Sequence, residues 1–147
     1  MATTTATITL SSSDLLTDNL SLSATTTLYQ GDTTATGLDE FRMERFNIPT
    51  GTQFDIIEAT TAATEDANYF YCINKNTDPT HYVIISIKDE VLGRLYAGDW
   101  MFVPWDSDVV ALDANDSAIE VQAYEAEATI EYCLFHNGET RHTSDDS

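Results

Sequence analysis

Apolar and polar positions along this chain recur mostly with period two. Leu20, Leu22, Ala24, Thr26 and Leu28 form one such series, with Ser and Thr mainly between them. Tyr69, Tyr71 and Ile73 alternate with Phe70 and Cys72, and Val83, Ile85 and Ile87 share one parity. Ile119, Val121 and Ala123 alternate with Glu120, Gln122 and Tyr124, and Ile130, Tyr132 and Leu134 close the pattern. Successive side chains of a strand point to opposite faces, so this periodicity predicts half-buried β-strands. The predicted strands are 20–29, 53–59, 69–74, 81–88, 91–95, 109–112, 118–124 and 128–135, with a short edge strand or extended arm at 6–10. Residues 38–46 fit a turn and a half of helix as well as they fit a strand. An all-β neighbourhood makes strand the consistent reading.

The run Gly98-Asp99-Trp100-Met101-Phe102-Val103-Pro104-Trp105 stands out from this background. It concentrates both tryptophans of the chain between the turn signal Ala97-Gly98-Asp99 and the acidic turn Asp106-Ser107-Asp108. An apolar run this short between turns reads as a core strand. Pro104 has no N–H for a sheet ladder and is expected to mark its end. Phe102 and at least one of Trp100 and Trp105 are therefore expected to be largely buried, in the chain or at a subunit interface.

Roughly ten short strands at spacings near ten residues, without a convincing helix, predict an all-β antiparallel sandwich or jelly roll. The domain reading is an extended arm or edge strand at 1–13, a single sandwich at 14–136 and a polar acidic tail at 137–147. The ends, 1–5 and 137–147, bury little apolar surface and are expected to be mobile unless partner chains pin them.

Charge narrows the list of partners. Six basic residues against 25 acidic ones give a formal charge of −19. Such a chain repels phosphate backbones and anionic lipid, which disfavours nucleic acid and membrane surfaces as ligands. A basic protein surface suits it better. No basic n-region with an apolar stretch opens the sequence and no run approaches a membrane span, so a soluble, cytoplasmically made protein is expected. Cys72 and Cys133 lie in separate strand-like runs and read as buried, reduced thiols rather than as a disulfide framework.

Catalytic and metal chemistry find little support. Both cysteines sit among aromatics and carboxylates, a poor setting for a thiolate nucleophile. His81, His136 and His142 lack metal-ligand spacing. Asp106, Asp108, Asp113, Asn115 and Asp116 could offer oxygen ligands to calcium. Yet Ala118 stands where a calcium loop needs glycine, and Tyr124 where it needs the bidentate glutamate; turn and loop chemistry accounts for these residues. Trp100, Trp105 and the Tyr69–Tyr71 pair could stack on sugars, although tryptophan at a strand end more commonly anchors a core or an interface. Arg42 and Arg45 read as local ion-pair partners of Asp39, Glu40 and Glu44, or as a contact to an acidic partner.

The second half carries a string of features: the aromatic strand Tyr69-Phe70-Tyr71-Cys72-Ile73-Asn74 running into Lys75-Asn76-Thr77, then Leu95-Tyr96-Ala97-Gly98-Asp99-Trp100 through Pro104-Trp105, then Glu131-Tyr132-Cys133-Leu134-Phe135. This order resembles small β-sandwich virion structural proteins of tailed bacteriophages, of the marine podovirus and siphovirus type. The resemblance covers 69–135 best; the threonine-rich start, Ala2 to Leu10, shares only its texture. It implies a non-enzymatic subunit without cofactor or catalytic residues, made in the host cytoplasm and assembled on the virion. The foremost expectation is a capsid decoration (cement) protein, a homo-oligomer (trimer or dimer) docked on the major capsid protein. The alternative is a tail- or fibre-associated module that binds host-surface glycans. Arg42, Arg45, Trp100, Phe102 and Trp105 are the candidate interface and anchor residues.

Overall fold

The computed structural model describes residues 4–28, 40–57, 68–87, 89–105 and 119–136. They form ten strands: β1 (Thr4–Ser12), β2 (Leu20–Leu28), β3 (Glu40–Ile48), β4 (Gln53–Ile57), β5 (Asn68–Asn74), β6 (Tyr82–Ile87), β7 (Glu90–Tyr96), β8 (Trp100–Trp105), β9 (Ile119–Tyr124) and β10 (Ala128–His136). The ambiguous 38–46 stretch is strand. The expected strand at 109–112, the acidic cluster from Asp106 to Asp116 and the tail 137–147 lie outside the described residues.

Eight strands build two packed antiparallel sheets, β3-β10-β5-β8 and β4-β9-β6-β7. The chain crosses between the sheets at every step from β3 to β10 except the β6–β7 hairpin. Numbered one to eight from β3, the sheets read 1-8-3-6 and 2-7-4-5, the strand order of a double-sheet jelly roll. The first and last sandwich strands are neighbours along nine residue pairs, from Ala128↔Ile48 to His136↔Glu40.

Side-chain parity on these strands determines the core. Ile48, Phe70, Cys72, Ala128, Ile130, Tyr132 and Leu134 point inward from one sheet; Ile57, Val83, Ile85, Leu95, Ile119, Val121 and Ala123 meet them from the other. Two polar groups tie the layers. Tyr132 is buried, and its hydroxyl lies 2.6 Å from Glu44 Oε2 and 3.3 Å from the Ile56 carbonyl across the sandwich. Asn74 is also buried; its Nδ2 donates to the Leu95 carbonyl at 2.9 Å and its Oδ1 accepts from Asn76 N at 2.9 Å. The β7–β8 turn closes against it, with Gly98 N donating to Asn74 O at 2.8 Å. Gly98 has φ +84°, a conformation that L side chains rarely adopt, so this crossing between sheets depends on glycine.

Two expectations are corrected here and a third is extended. The Trp100–Trp105 run is an edge strand, not the centre of the core. Met101 and Val103 pack against the core, but Trp100 is 51% exposed and Phe102 is only half-buried, on the sheet's outer face. Pro104 is tolerated because an edge strand leaves one side of its ladder unpaired. Secondly, β2 does not join the sandwich. Among the described residues it pairs with β1 alone, in a separate two-stranded sheet, so the arm extends from the expected 1–13 through residue 28. Thirdly, Arg45 is not confined to partners near it in sequence. Its Nη2 lies 2.6 Å from Glu131 Oε2 on the neighbouring strand β10, a long-range partner that register alone selects.

Candidate functional site

The outer face of the β3-β10-β5-β8 sheet is built from the positions that alternate with the core. Strand register sets out its rows: Arg45, Glu131, Ile73 and Trp100, then Met43, Cys133, Tyr71 and Phe102. A third row follows through the backbone pairs Phe41↔Phe135, Phe135↔Tyr69 and Tyr69↔Pro104. Tyr69 stacks on Phe102 with ring centroids 5.6 Å apart and planes within 7°, and Tyr71 tilts against Trp100 at 6.4 Å. The second aromatic face explains why parity was hard to read: β5 and β8 are apolar on both sides.

Over this face lies the β1–β2 hairpin. Its register runs from Thr4↔Leu28 at the open end to Ser12↔Leu20 near the tip. Directly paired residues share a face, so Ala6, Ile8 and Leu10 stand with Leu22, Ala24 and Leu28. Every paired position on the other face is serine or threonine: Thr5, Thr7, Thr9 and Ser11 opposite Thr27, Thr25, Ser23 and Ser21. The Thr7 and Thr25 hydroxyls meet across it at 3.0 Å. The chain turns at Ser12, whose Oγ donates to Asp14 Oδ1 at 3.0 Å and accepts from Leu15 N at 3.1 Å.

Only the open end of the hairpin is seated. Leu28 is 3% exposed, whereas Ile8 is 45%, Leu10 49% and Leu22 54% exposed, with Leu15 and Leu16 also exposed at the turn. A groove of about 880 Å³ separates the hairpin from the sheet. Ala6, Ile8 and Ala24 line one wall and Tyr71, Trp100 and Phe102 the other. An isolated two-stranded hairpin is marginal in water, and this one leaves an apolar strip of Ile8, Leu10 and Leu22 exposed.

Of the sequence-based candidates, this region brings together Trp100, Phe102 and the Tyr69–Tyr71 pair. Arg45 lies on the same face but is bound to Glu131, which holds that carboxyl below its ordinary range chiefly through the Arg45 hydrogen bond. The side chains of Arg42 and Trp105 lie outside the described residues. Sequence reasoning missed Ile8, Leu10 and Leu22 as surface residues. No local signal marked them, since a Ser/Thr parity opposite an apolar one is what any half-buried strand shows.

The thiols divide by face. Cys72 is in the core, where burial first and then Cys133 push it up to about 12; it is un-ionised at neutral pH and no nucleophile. Cys133 is half-buried on the outer face, correcting the expectation of two buried thiols, and is raised by desolvation and by Glu131. Both are free, and their opposite parity points the sulfurs to opposite sides of the sheet. His81 faces Asp78 at 3.5 Å, while the His136 side chain and His142 lie outside the described residues. Among the described residues, no group of three or more His, Cys, Asp or Glu side chains converges as a metal site would, and no helix is long and apolar enough to cross a membrane.

No protein-family model, curated protein or solved structure matches this chain. What is established is the class: an antiparallel jelly-roll sandwich carrying a two-stranded arm.

Proposed function

We propose that this protein is a non-enzymatic structural subunit of a tailed-phage virion, a capsid decoration protein that docks on the major capsid lattice as a homo-oligomer. The observation that carries this reading is the β1–β2 arm, whose apolar strip of Ile8, Leu10 and Leu22 is left uncovered beyond the sandwich. A docking subunit needs shape and repeated contact rather than reactivity. An extended apolar arm next to an aromatic sheet face supplies both. Double-sheet jelly rolls are a recurrent building unit of viral shells, which supports the reading by fold analogy alone. The charge of −19 favours a basic docking surface on the lattice.

The test is reconstitution on particles stripped of this protein. A triple variant, Ile8→Ser with Leu10→Ser and Leu22→Ser, keeps the hairpin's β-ladder and removes its apolar strip. Its occupancy should fall steeply while the circular dichroism of the free protein stays unchanged. Copy number in intact particles separates head from tail: hundreds per virion for decoration, a few to dozens for a tail or fibre component. Unchanged occupancy of the triple variant, or a tail-sized copy number, defeats the proposal.

A further inference from the structure

The opposite side of the sandwich carries a second organised surface. On the outer face of the β4-β9-β6-β7 sheet, register places Tyr96, Tyr82 and Tyr124 side by side on three adjacent strands, through the pairs Tyr82↔Tyr96 and Tyr82↔Tyr124. Their ring centroids are 5.2 Å and 5.3 Å apart, and the Tyr82 and Tyr124 planes lie within 7°. The next row along the strands is Arg94, Ile84 and Gln122, by the pairs Ile84↔Arg94 and Ile84↔Gln122. Tyr96 is exposed, and Tyr82 and Tyr124 are half-buried.

Arg94 sits inside this group. Its guanidinium carbon lies 4.6 Å from the centre of the Tyr82 ring. The Tyr96 hydroxyl foremost, then Tyr82, raise its pKa further, so it is a permanent cation. Among the described residues, Arg45 and Lys75 reach Glu131, but no carboxylate lies within 4.0 Å of Arg94. The nearby Asp99 carboxylate is engaged by the turn, accepting from Tyr96 N at 3.0 Å. Gln122 is steadied by donating from Nε2 to the Gly51 carbonyl at 3.3 Å. In a chain with 25 acidic residues, a cation held among three phenols, with no described carboxylate within 4.0 Å, is a place for an anion to come from outside.

We infer that the Tyr96–Tyr82–Tyr124 row with Arg94 is a binding site for an acidic glycan, a polysaccharide whose pyranose units carry carboxylates. Each tyrosine presents an apolar ring ending in a hydroxyl, which matches a sugar's mixture of C–H faces and hydroxyls. Two strand spacings make the row roughly 10 Å long, enough for a disaccharide face. The guanidinium fork supplies paired donors to a carboxylate, a geometry lysine does not offer. The net negative charge acts against acidic polymers at long range, but that repulsion is screened beyond about 10 Å at 0.1 M salt. The site is independent of the docking proposal. It lies on the sandwich face turned away from the arm, and it differs from the Trp100 and Tyr69–Tyr71 residues that the sequence suggested for sugars.

The experiment titrates the isolated full-length protein with a panel of oligouronates: hexamers of galacturonate, mannuronate and guluronate, and hyaluronan fragments. Maltohexaose is the neutral control, and nuclear magnetic resonance shifts or calorimetry provide the readout. At least one oligouronate should bind, about tenfold tighter than maltohexaose. Arg94→Gln should bring that affinity down to the neutral level, and Tyr96→Ala should weaken it by about tenfold. Trp100→Ala, on the other face, should leave it unchanged. Both Arg94 and Tyr96 are surface residues of β7, and a folded spectrum for each variant keeps the comparison sound. The inference is overturned if no oligouronate binds at several millimolar, if maltohexaose binds as tightly, or if Arg94→Gln and Tyr96→Ala bind like wild type. None of these outcomes bears on particle docking, so this inference and the decoration reading fail separately.

Discussion

Phe70 and Phe102 face each other's strands across β5 and β8, yet they occupy opposite sides of one sheet, and their truncation should separate those sides. Phe70 is fully buried, with its ring centroid 6.0 Å from that of Tyr132. Phe70→Ala removes a whole ring from a core that closes only partly around the gap, a change that costs about 3–5 kcal/mol. Against a total of roughly 5–15 kcal/mol for a domain, that is a large share. Phe102 is half-buried and stacked on Tyr69 at 5.6 Å. Its truncation loses an aromatic pair of about 0.5–1.5 kcal/mol and only part of its area from water. With about 2–4 °C per kcal/mol for a chain near this size, Phe70→Ala should lower Tm by roughly 10 °C and Phe102→Ala by a few degrees. Urea and thermal denaturation by far-ultraviolet circular dichroism measure both. Particle binding should show the reverse order among folded protein, because Phe102 lines the groove under the arm and Phe70 does not. If Phe102→Ala is as destabilising as Phe70→Ala, the assignment of β8 to an edge with an outward aromatic face is wrong.

Asn74→Ala should cost about 2–3 kcal/mol, since it strands the Leu95 carbonyl and the Asn76 N–H without partners; an unchanged urea midpoint would refute its role as the tie between sheets. Cys72 sets an alkaline limit: from its ordinary 9.0 up to about 12 the native state keeps the thiol proton that the unfolded chain has lost. Its contribution is therefore complete below pH 9.0 and declines by about 1.4 kcal/mol per pH unit as pH rises towards 12, a slope that Cys72→Val should remove relative to wild type. In native thiol labelling, half-buried Cys133 should react well before Cys72, and equal rates would contradict the assignment of the two to opposite faces.

Much of the architecture was legible in the chain because period-two alternation is a local property. A strand exposes its pattern within five or six residues, so Ile119-Glu120-Val121 and Ile130-Glu131-Tyr132 announce strand and inward phase together. Short strands between turn signals, without a helical period, are enough to define an all-β sandwich or jelly roll; the strand order of the two sheets decided for the jelly roll.

Phase and partnership were decided by tertiary structure. Where both parities are apolar, as in Tyr69-Phe70-Tyr71-Cys72-Ile73 and Trp100-Met101-Phe102-Val103, periodicity identifies a strand but not which side is core. The run richest in tryptophan therefore read as central, yet it lies at an edge. Its outer face is apolar because the arm lies over it, not because a second sheet does. The same limit placed β2 in the sandwich: alternating leucines show that one face avoids water but not what covers it. Register between strands is a long-range choice. It took Arg45 past its acidic neighbours to Glu131, 86 residues away, and it gathered Tyr82, Tyr96 and Tyr124 from three separate stretches into one row. No local pattern encodes such a meeting, because it depends on which ladder each strand joins.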